Sequence, residues 1–281
     1  MKKIIMILFI LSFAAPSMAA TVGGPDITIP EESLFLKEEA VKTTLDRFEF
    51  DMDIRASMNI EVNFKKNLTS SQEVSNAKIE GQNYMLKFSA ESFDIIEPYI
   101  MIGTSDLKVK WEQNGNTVTV EAEPGFTWGM GVKTKLMEFK DYGVKLTMDI
   151  QFRNADLNID KPLLNGAGAS ARDEKCEIKE WQIALLASKK YIVPMGLRDY
   201  YIVPYTGVTF SWADVDVSFK DGNSSGPPYP LYSTYNATED SHIGLVFGCD
   251  VMPSLLSWYL FNFELRLINE TAFSLGGTMK F

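Results

Sequence analysis

From Phe48 to Phe64 apolar and polar side chains alternate without a break. Phe48, Phe50, Met52, Ile54, Ala56, Met58, Ile60, Val62 and Phe64 share one parity; Glu49, Asp51, Asp53, Arg55, Ser57, Asn59, Glu61 and Asn63 share the other. Successive side chains of a strand point to opposite faces, so this segment is a strand with one apolar and one strongly polar face. It far exceeds the usual strand of roughly five to six residues. The chain closes on the same pattern, with Phe273, Leu275, Gly277, Met279 and Phe281 opposite Ala272, Ser274, Gly276, Thr278 and Lys280. Long strands that are apolar outward and polar inward are what a membrane-spanning barrel requires.

The rhythm recurs along the chain. Tyr84, Leu86, Phe88 and Ala90 oppose Met85, Lys87, Ser89 and Glu91, and Val144, Leu146, Met148, Ile150 and Phe152 oppose Lys145, Thr147, Asp149, Gln151 and Arg153. Two stretches are irregular. Between Ile95 and Glu112, placing Tyr99, Met101, Leu107, Val109 and Trp111 outward turns Ile100 and Ile102 inward and requires a bulge or a locally packed lumen. Between Tyr200 and Phe219 the apolar parity changes, and a bulge near Ala213 restores it. The fold class is therefore all-β, an antiparallel transmembrane β-barrel of ten strands at about 46–64, 77–91, 95–111, 121–137, 143–156, 176–189, 200–219, 241–252, 259–268 and 271–281. Eight strands, with the first segment displaced, is the alternative count.

With the first strand running outward, the outer loops are 65–76, 112–120, 157–175, 220–240 and 269–270, and the inner turns are 92–94, 138–142, 190–199 and 253–258. Most outer loops are longer than most inner turns, as in bacterial barrels. Before the barrel, residues 1–20 read as a cleaved secretory signal peptide: Lys2 and Lys3, an apolar run from Ile4 to Ala15, and small residues at Ala19 and Ala20. Residues 21–47 form a periplasmic segment, helical or irregular, in which Pro30-Glu31-Glu32-Ser33 starts a short amphipathic helix. It plugs the lumen, caps the periplasmic mouth or is unstructured, with the cap slightly preferred. The barrel spans 48–281.

Composition alters this picture little. A mean hydropathy near zero is expected of a barrel, because alternation cancels in any sliding average. A formal net charge of −10 argues against nucleic acid as a partner. Cys176 and Cys249 lack metal or redox spacing and read as two unpaired thiols, Cys249 sharing a parity with Ile243, Leu245, Phe247 and Val251. The tryptophans Trp111, Trp128, Trp181, Trp212 and Trp258 suit aromatic belts at membrane interfaces.

The candidate chemistry lies inside the barrel. Glu49, Asp51, Asp53, Arg55, Glu61, Lys133, Lys135, Lys145, Asp149, Arg153, Glu264, Arg266 and Lys280 occupy inward positions. Buried charges are costly unless paired, so opposite signs should link across strands, with Lys280 meeting Asp51 or Asp53 where the last strand closes on the first. Ten strands enclose far less space than the roughly 16 to 18 of water-filled porins, so a salt-bridged polar core is expected over an ion-conducting lumen. His242 is the sole histidine and the sole support for a rim hydrolase beside Asp240; turn composition explains it as well. No catalytic residue, cofactor or metal is expected. Tyr229, Tyr232 and Tyr235 in the longest outer loop offer contact area for an extracellular ligand or surface partner. Alternation by itself also fits a soluble lipocalin-like barrel with the faces inverted; the leader, the long first strand and Phe281 favour the membrane.

The leader, the dyad rhythm and a last strand reading Ala272-Phe-Ser-Leu-Gly-Gly-Thr-Met-Lys-Phe281 resemble the small bacterial outer-membrane β-barrel proteins of the OmpA/OmpX-like group. The resemblance covers about 48–281 and concerns architecture and location, since such proteins include anchors, adhesins, narrow channels and enzymes. It implies outer-membrane lipid as surroundings and the barrel-assembly machinery as a partner, with Phe273, Leu275, Met279 and Phe281 as the assembly signal. Unlike full OmpA-type proteins, this chain shows no peptidoglycan-binding domain after its barrel, which puts a wall-anchoring role in doubt.

Overall fold

The computed structural model describes residues 21–30, 52–70, 74–113, 115–168, 171–196, 198–221, 234–254 and 257–281. The expected signal peptide, the helix expected after Pro30, Glu49 and Asp51 at the expected start of the first strand, and Tyr229 and Tyr232 lie outside them.

The strands are β1 (Met52–Thr69), β2 (Ser75–Ser92), β3 (Ile96–Gln113), β4 (Asn116–Ala122), β5 (Gly125–Phe139), β6 (Val144–Leu157), β7 (Ile159–Leu164), β8 (Ala167–Gly168), β9 (Ala171–Lys189), β10 (Tyr191–Met195), β11 (Arg198–Asp221), β12 (Thr234–Glu239), β13 (Ile243–Pro253), β14 (Tyr259–Leu267) and β15 (Glu270–Lys280). Antiparallel pairing runs β1-β2-β3-β5-β6-β9-β11-β13-β14-β15 and returns to β1, closing a ten-stranded barrel. Closure pairs every ladder and leaves no sheet edge around the ring. The ten strands expected from alternation are these ten.

The remaining strands lengthen the barrel at one end. Strand β4 runs into β5 through Glu123-Pro124, β6 into β7 through Asn158, and β12 into β13 through residues 240–242. Strand β4 pairs with β3 and β7, while β12 pairs with β11 and β1. Much of 65–76, 112–120, 157–175 and 220–240, expected as outer loops, is thus strand. The turns at 93–95 and 140–143 mark the opposite, inner end.

In the inner two thirds, Ile54, Met58, Leu86, Phe88, Ile100, Met130, Phe247, Phe261 and Leu275 are exposed outward, and polar side chains fill the interior. In the outer extension the chemistry is reversed. Leu68, Ile79, Leu107, Val109, Trp111, Val118, Val120, Leu157, Ile178, Val215 and Val217 form one buried core inside the ring. The outer face there carries Lys108 paired with Glu121 at 2.7 Å and Lys110 paired with Glu80 at 2.6 Å.

This reversal accounts for both irregular stretches. Ile100 (58 % exposed) and Ile102 (43 %) face outward, whereas Tyr99, Met101, Leu107, Val109 and Trp111 are buried inside, opposite to expectation. The two parities of β3 are both apolar around Tyr99–Ile102, so alternation alone could not choose the inward one. Along β11 the pairing with β9 is continuous from Tyr205 to Ser218, so no bulge lies near Ala213. From Val203 to Val217 the odd residues face inward, and the lining itself passes from Thr209 and Ser211 to Val215 and Val217. A bulge does occur in β1 after Asn63, and beyond it Lys66 and Leu68, not Lys65, point inward.

Candidate functional site

The polar lumen is built from charges that alternation places on one face of each strand and closure then brings within bonding distance. Its centre is Glu61 of β1. This carboxylate accepts from Asn63 at 2.9 Å, Asn83 at 2.7 Å and Arg153 Nη1 at 3.0 Å, and Arg266 Nη2 lies 3.0 Å from its second oxygen. Arg153 continues to Glu180 at 2.8 Å, and Glu180 pairs with Lys66 at 2.5 Å. Lys66 also faces Glu239 at 3.3 Å, and Arg266 lies 3.6 Å from Glu264 and 3.5 Å from Glu270. A continuous ionic layer thus crosses the barrel beneath the apolar core. Buried ions persist only when partners replace their lost hydration, and here each cation meets at least two carboxylates.

Towards the inner end, Arg55 lies between Glu91 (3.4 Å) and Glu97 (3.5 Å), with Lys87 3.6 Å from Glu97 and 4.2 Å from the Tyr99 ring centre. Tyr99 donates to Asp149 at 2.7 Å, Tyr205 donates to Glu264 at 2.9 Å, and Asn262 donates to Asp250 at 2.5 Å. At the inner rim Lys280 Nζ stands 2.5 Å from Asp53 Oδ2. Residues 21–30, for which a cap on the mouth was preferred, instead lie within the lumen, where Lys145 binds Asp26 at 2.7 Å and Lys133 binds the Gly24 carbonyl at 2.5 Å. Once Val22, Ile27 and Ile29 are buried against the wall, a position across the open mouth would leave those side chains in water. Two voids beside this segment measure about 20 and 10 Å³, space for about one water each.

Of the expected lumen charges, Asp53, Arg55, Glu61, Lys133, Lys145, Asp149, Arg153, Glu264, Arg266 and Lys280 belong to these contacts. Lys135 does not: it sits half-buried at the β5 bulge before Met137 and joins none of the described ion pairs. Lys66, Glu180, Glu239 and Glu270 were missed, as were Lys87, Glu91 and Glu97. Lys66, Glu239 and Glu270 fall in segments taken as loops, and carrying the strands further would have found them. Lys87, Glu91 and Glu180 already stood on the polar parity of recognised strands.

Two aromatic expectations are corrected. Tyr235 is 0 % exposed and Trp111 1 %; their rings stack at 4.4 Å and 3° inside the extension, so neither serves a loop surface or a membrane belt. Burial alone raises the Tyr235 hydroxyl well above its ordinary pKa. Trp128, Trp181 and Trp212 do face outward, at the level where the interior changes from ionic to apolar. Trp212 pairs across strands with Trp181, and Phe152 touches both Trp181 (4.8 Å) and Trp128 (5.5 Å). His242 is exposed beside Trp212, with ring centres 6.0 Å apart and Nδ1 3.0 Å from the Ser211 carbonyl. Cys176 is buried in the extension core, and Cys249 lies half-buried on the other face of the wall; both are free thiols.

The class defined by this geometry is a closed, ten-stranded antiparallel barrel with an apolar outer girdle and a filled lumen. No protein-family model and no curated protein matches the sequence. Among solved structures, the chain is similar to the outer membrane protein OprG from Pseudomonas aeruginosa, at 8% identity over 82% of this chain and 95% of that one, with a TM-score of 0.37. It is also similar to the transport unit of the autotransporter AIDA-I from Escherichia coli (9% identity, 88% and 93% covered, TM-score 0.38). A third similar structure is the translocator domain of the autotransporter NalP from Neisseria meningitidis (10% identity, 82% and 88% covered, TM-score 0.35).

Proposed function

We propose that the protein is an integral barrel of the bacterial outer membrane with a structural or surface-interaction role, its lumen held shut rather than conducting. The observation that carries this reading is the ionic layer centred on Glu61 lying directly beneath an apolar core, two chemically different seals inside one ring. An ion would have to displace paired charges and then shed its hydration among Leu107, Val109 and Val215, which is costly in a medium of low dielectric. The outward apolar girdle and the tryptophans at its outer limit support lipid as the surroundings. Phe273, Leu275 and Met279 stand on the outward parity of β15 and suit presentation to the assembly machinery as a terminal signal. A role in catalysis finds no support in His242, which faces away from the lumen charges. The outer end of the extension is the surface offered to an extracellular partner.

Planar-bilayer recording tests the closed lumen against the narrow channel for ions or small solutes. The purified barrel is expected to insert without steady single-channel current, whereas stable ohmic steps would establish the channel. Membrane residence is tested separately: folded protein should run faster unboiled than boiled on a gel and need detergent to stay dispersed.

A further inference from the structure

The inner half of the lumen has two unlike walls. Strands β1, β2, β3, β5 and β6 supply charged and hydroxyl groups, among them Arg55, Lys133, Lys145 and Thr147. Strands β9, β11, β13 and β14 supply an apolar strip of Ala184, Leu186, Val203, Val246, Met252 and Leu260, interrupted by the buried Asp250, Asn262 and Glu264. Residues 21–30 lie between them. Val22 packs on Ala184, Leu186, Tyr205 and Val246, and Ile29 packs on Val203, Met252 and Leu260.

The polar contacts to this segment run mainly to its backbone. Glu264 accepts the N–H groups of Val22 and Gly23 at 3.2 Å each. Lys133 donates to the carbonyl of Gly24 at 2.5 Å, Thr147 to that of Pro25 at 2.9 Å and Arg55 to that of Ile27 at 2.5 Å. Three side chains of the segment are held as well: Thr21 is bonded to Glu61 at 2.9 Å, and Asp26 and Thr28 each accept from Lys145 at 2.7 Å. Gly23 adopts φ +68°, and a Cβ on Gly24 would stand 2.7 Å from an Asp250 carboxylate oxygen, so the two glycines permit a turn and a close approach to the wall.

Groups that address backbone N–H and C=O recognise a chain by its course, and apolar sockets at set intervals then select its side chains. Without an occupant, the apolar strip would face water inside the ring. We propose that the inner half of the lumen is a peptide receptor. It holds its own residues 21–30 here and accepts in trans a segment of an exported chain with the same pattern: an apolar residue, two glycines, an aspartate and two further apolar residues. The tethered segment is then an intramolecular competitor present at an effective concentration of the order of millimolar. This goes beyond the closed-barrel reading and stands on the lumen contacts, sharing only Glu61 and Glu264 with the ionic layer.

The test uses the full chain carrying V22D and I29D, which removes the fit of its own segment to both sockets. Only protein with the unboiled gel mobility of the unaltered chain is titrated, with a fluorescein-labelled peptide of the sequence of residues 21–30, by anisotropy. Saturable one-to-one binding is expected, about tenfold tighter than to the unaltered chain, and weakened about tenfold by adding K133M or by placing lysine at the aspartate of the peptide. If V22D/I29D does not fold, D26K in the otherwise native chain replaces it under the same criteria. Absence of saturable binding, or equal affinity for a scrambled peptide, overturns the proposal.

Discussion

The girdle and the extension are made by the same strands with opposite chemistry. Along β3, Ile100 and Ile102 face out and Ser105 faces in; a few residues on, Lys108 and Lys110 face out and Leu107, Val109 and Trp111 face in. Pairing with β2 runs unshifted from Ser89 to Lys78 across that change, so the pleat does not slip. The same exchange occurs on β9 between Trp181 and Lys179, and on β11 between Trp212 and Asp214. Strand geometry fixes only that neighbours point to opposite faces; the surroundings on each side decide which face is apolar. In the extension the apolar core does the work of an ordinary soluble interior, and in the girdle, where the apolar side chains face outward, that work passes to ion pairs.

The sharpest way to break the comparison is at the two seals. Glu61→Ala leaves Arg153 and Arg266 short of a shared carboxylate and is expected to cost about 3–5 kcal/mol, against about 0–1 kcal/mol for Glu121→Ala in an exposed pair of the extension. Urea unfolding of the lipid-embedded barrel measures both, and equal costs would mean that the lumen is hydrated rather than sealed. Trp111→Ala is expected to cost about 3 kcal/mol through the cavity it leaves, but locally. Proteolysis should then cut the extension while the unboiled gel mobility of the remaining barrel persists; loss of both together would show one cooperative unit.

A smaller contrast lies on the outer surface. Ile100→Arg is expected to cost about 2–4 kcal/mol as a charge in the girdle, and Thr119→Arg about 0.5 kcal/mol or less on the extension. Comparable values in lipid would place the girdle in water. The gentlest probe is Cys176, whose thiol is pushed up to about 12 by burial and then by the charges of Asp156 and Asp216. Raised above the ordinary value, it stays protonated at pH 8, and since the thiolate is the nucleophile, alkylation should be slow in the folded protein. Labelling should quicken in Trp111→Ala, and equally rapid labelling of the unaltered chain would show that the extension core is open.

Legibility in the sequence followed contrast. Where one parity was apolar and the other charged, as on β1, β6 and β14, the inward residues could be named, and Arg55, Asp149, Arg153, Glu264 and Arg266 are inside. Where both parities were apolar, as around Tyr99–Ile102, the side could not be chosen. Tyr235 followed a stretch of turn residues and read as loop, yet it is the second residue of β12 and is held by the flat face of Trp111, a partner far away in the chain. Lys66 was hidden by a bulge, which shifts the alternation by one residue.

Alternation with a period of two, sustained over many long segments, determined by itself that the chain forms ten antiparallel strands with a polar and an apolar face, because that period is a local property of extended backbone. Closure decided the rest. Only the ring brings Glu61 to Arg153 and Arg266, stacks Trp111 on Tyr235, and holds residues 21–30 between Lys133 on one side and the Val246 and Met252 patches with Glu264 on the other. These contacts join residues distant in sequence, and their partners are fixed by strand register and by which groups must find a counter-charge once water is excluded.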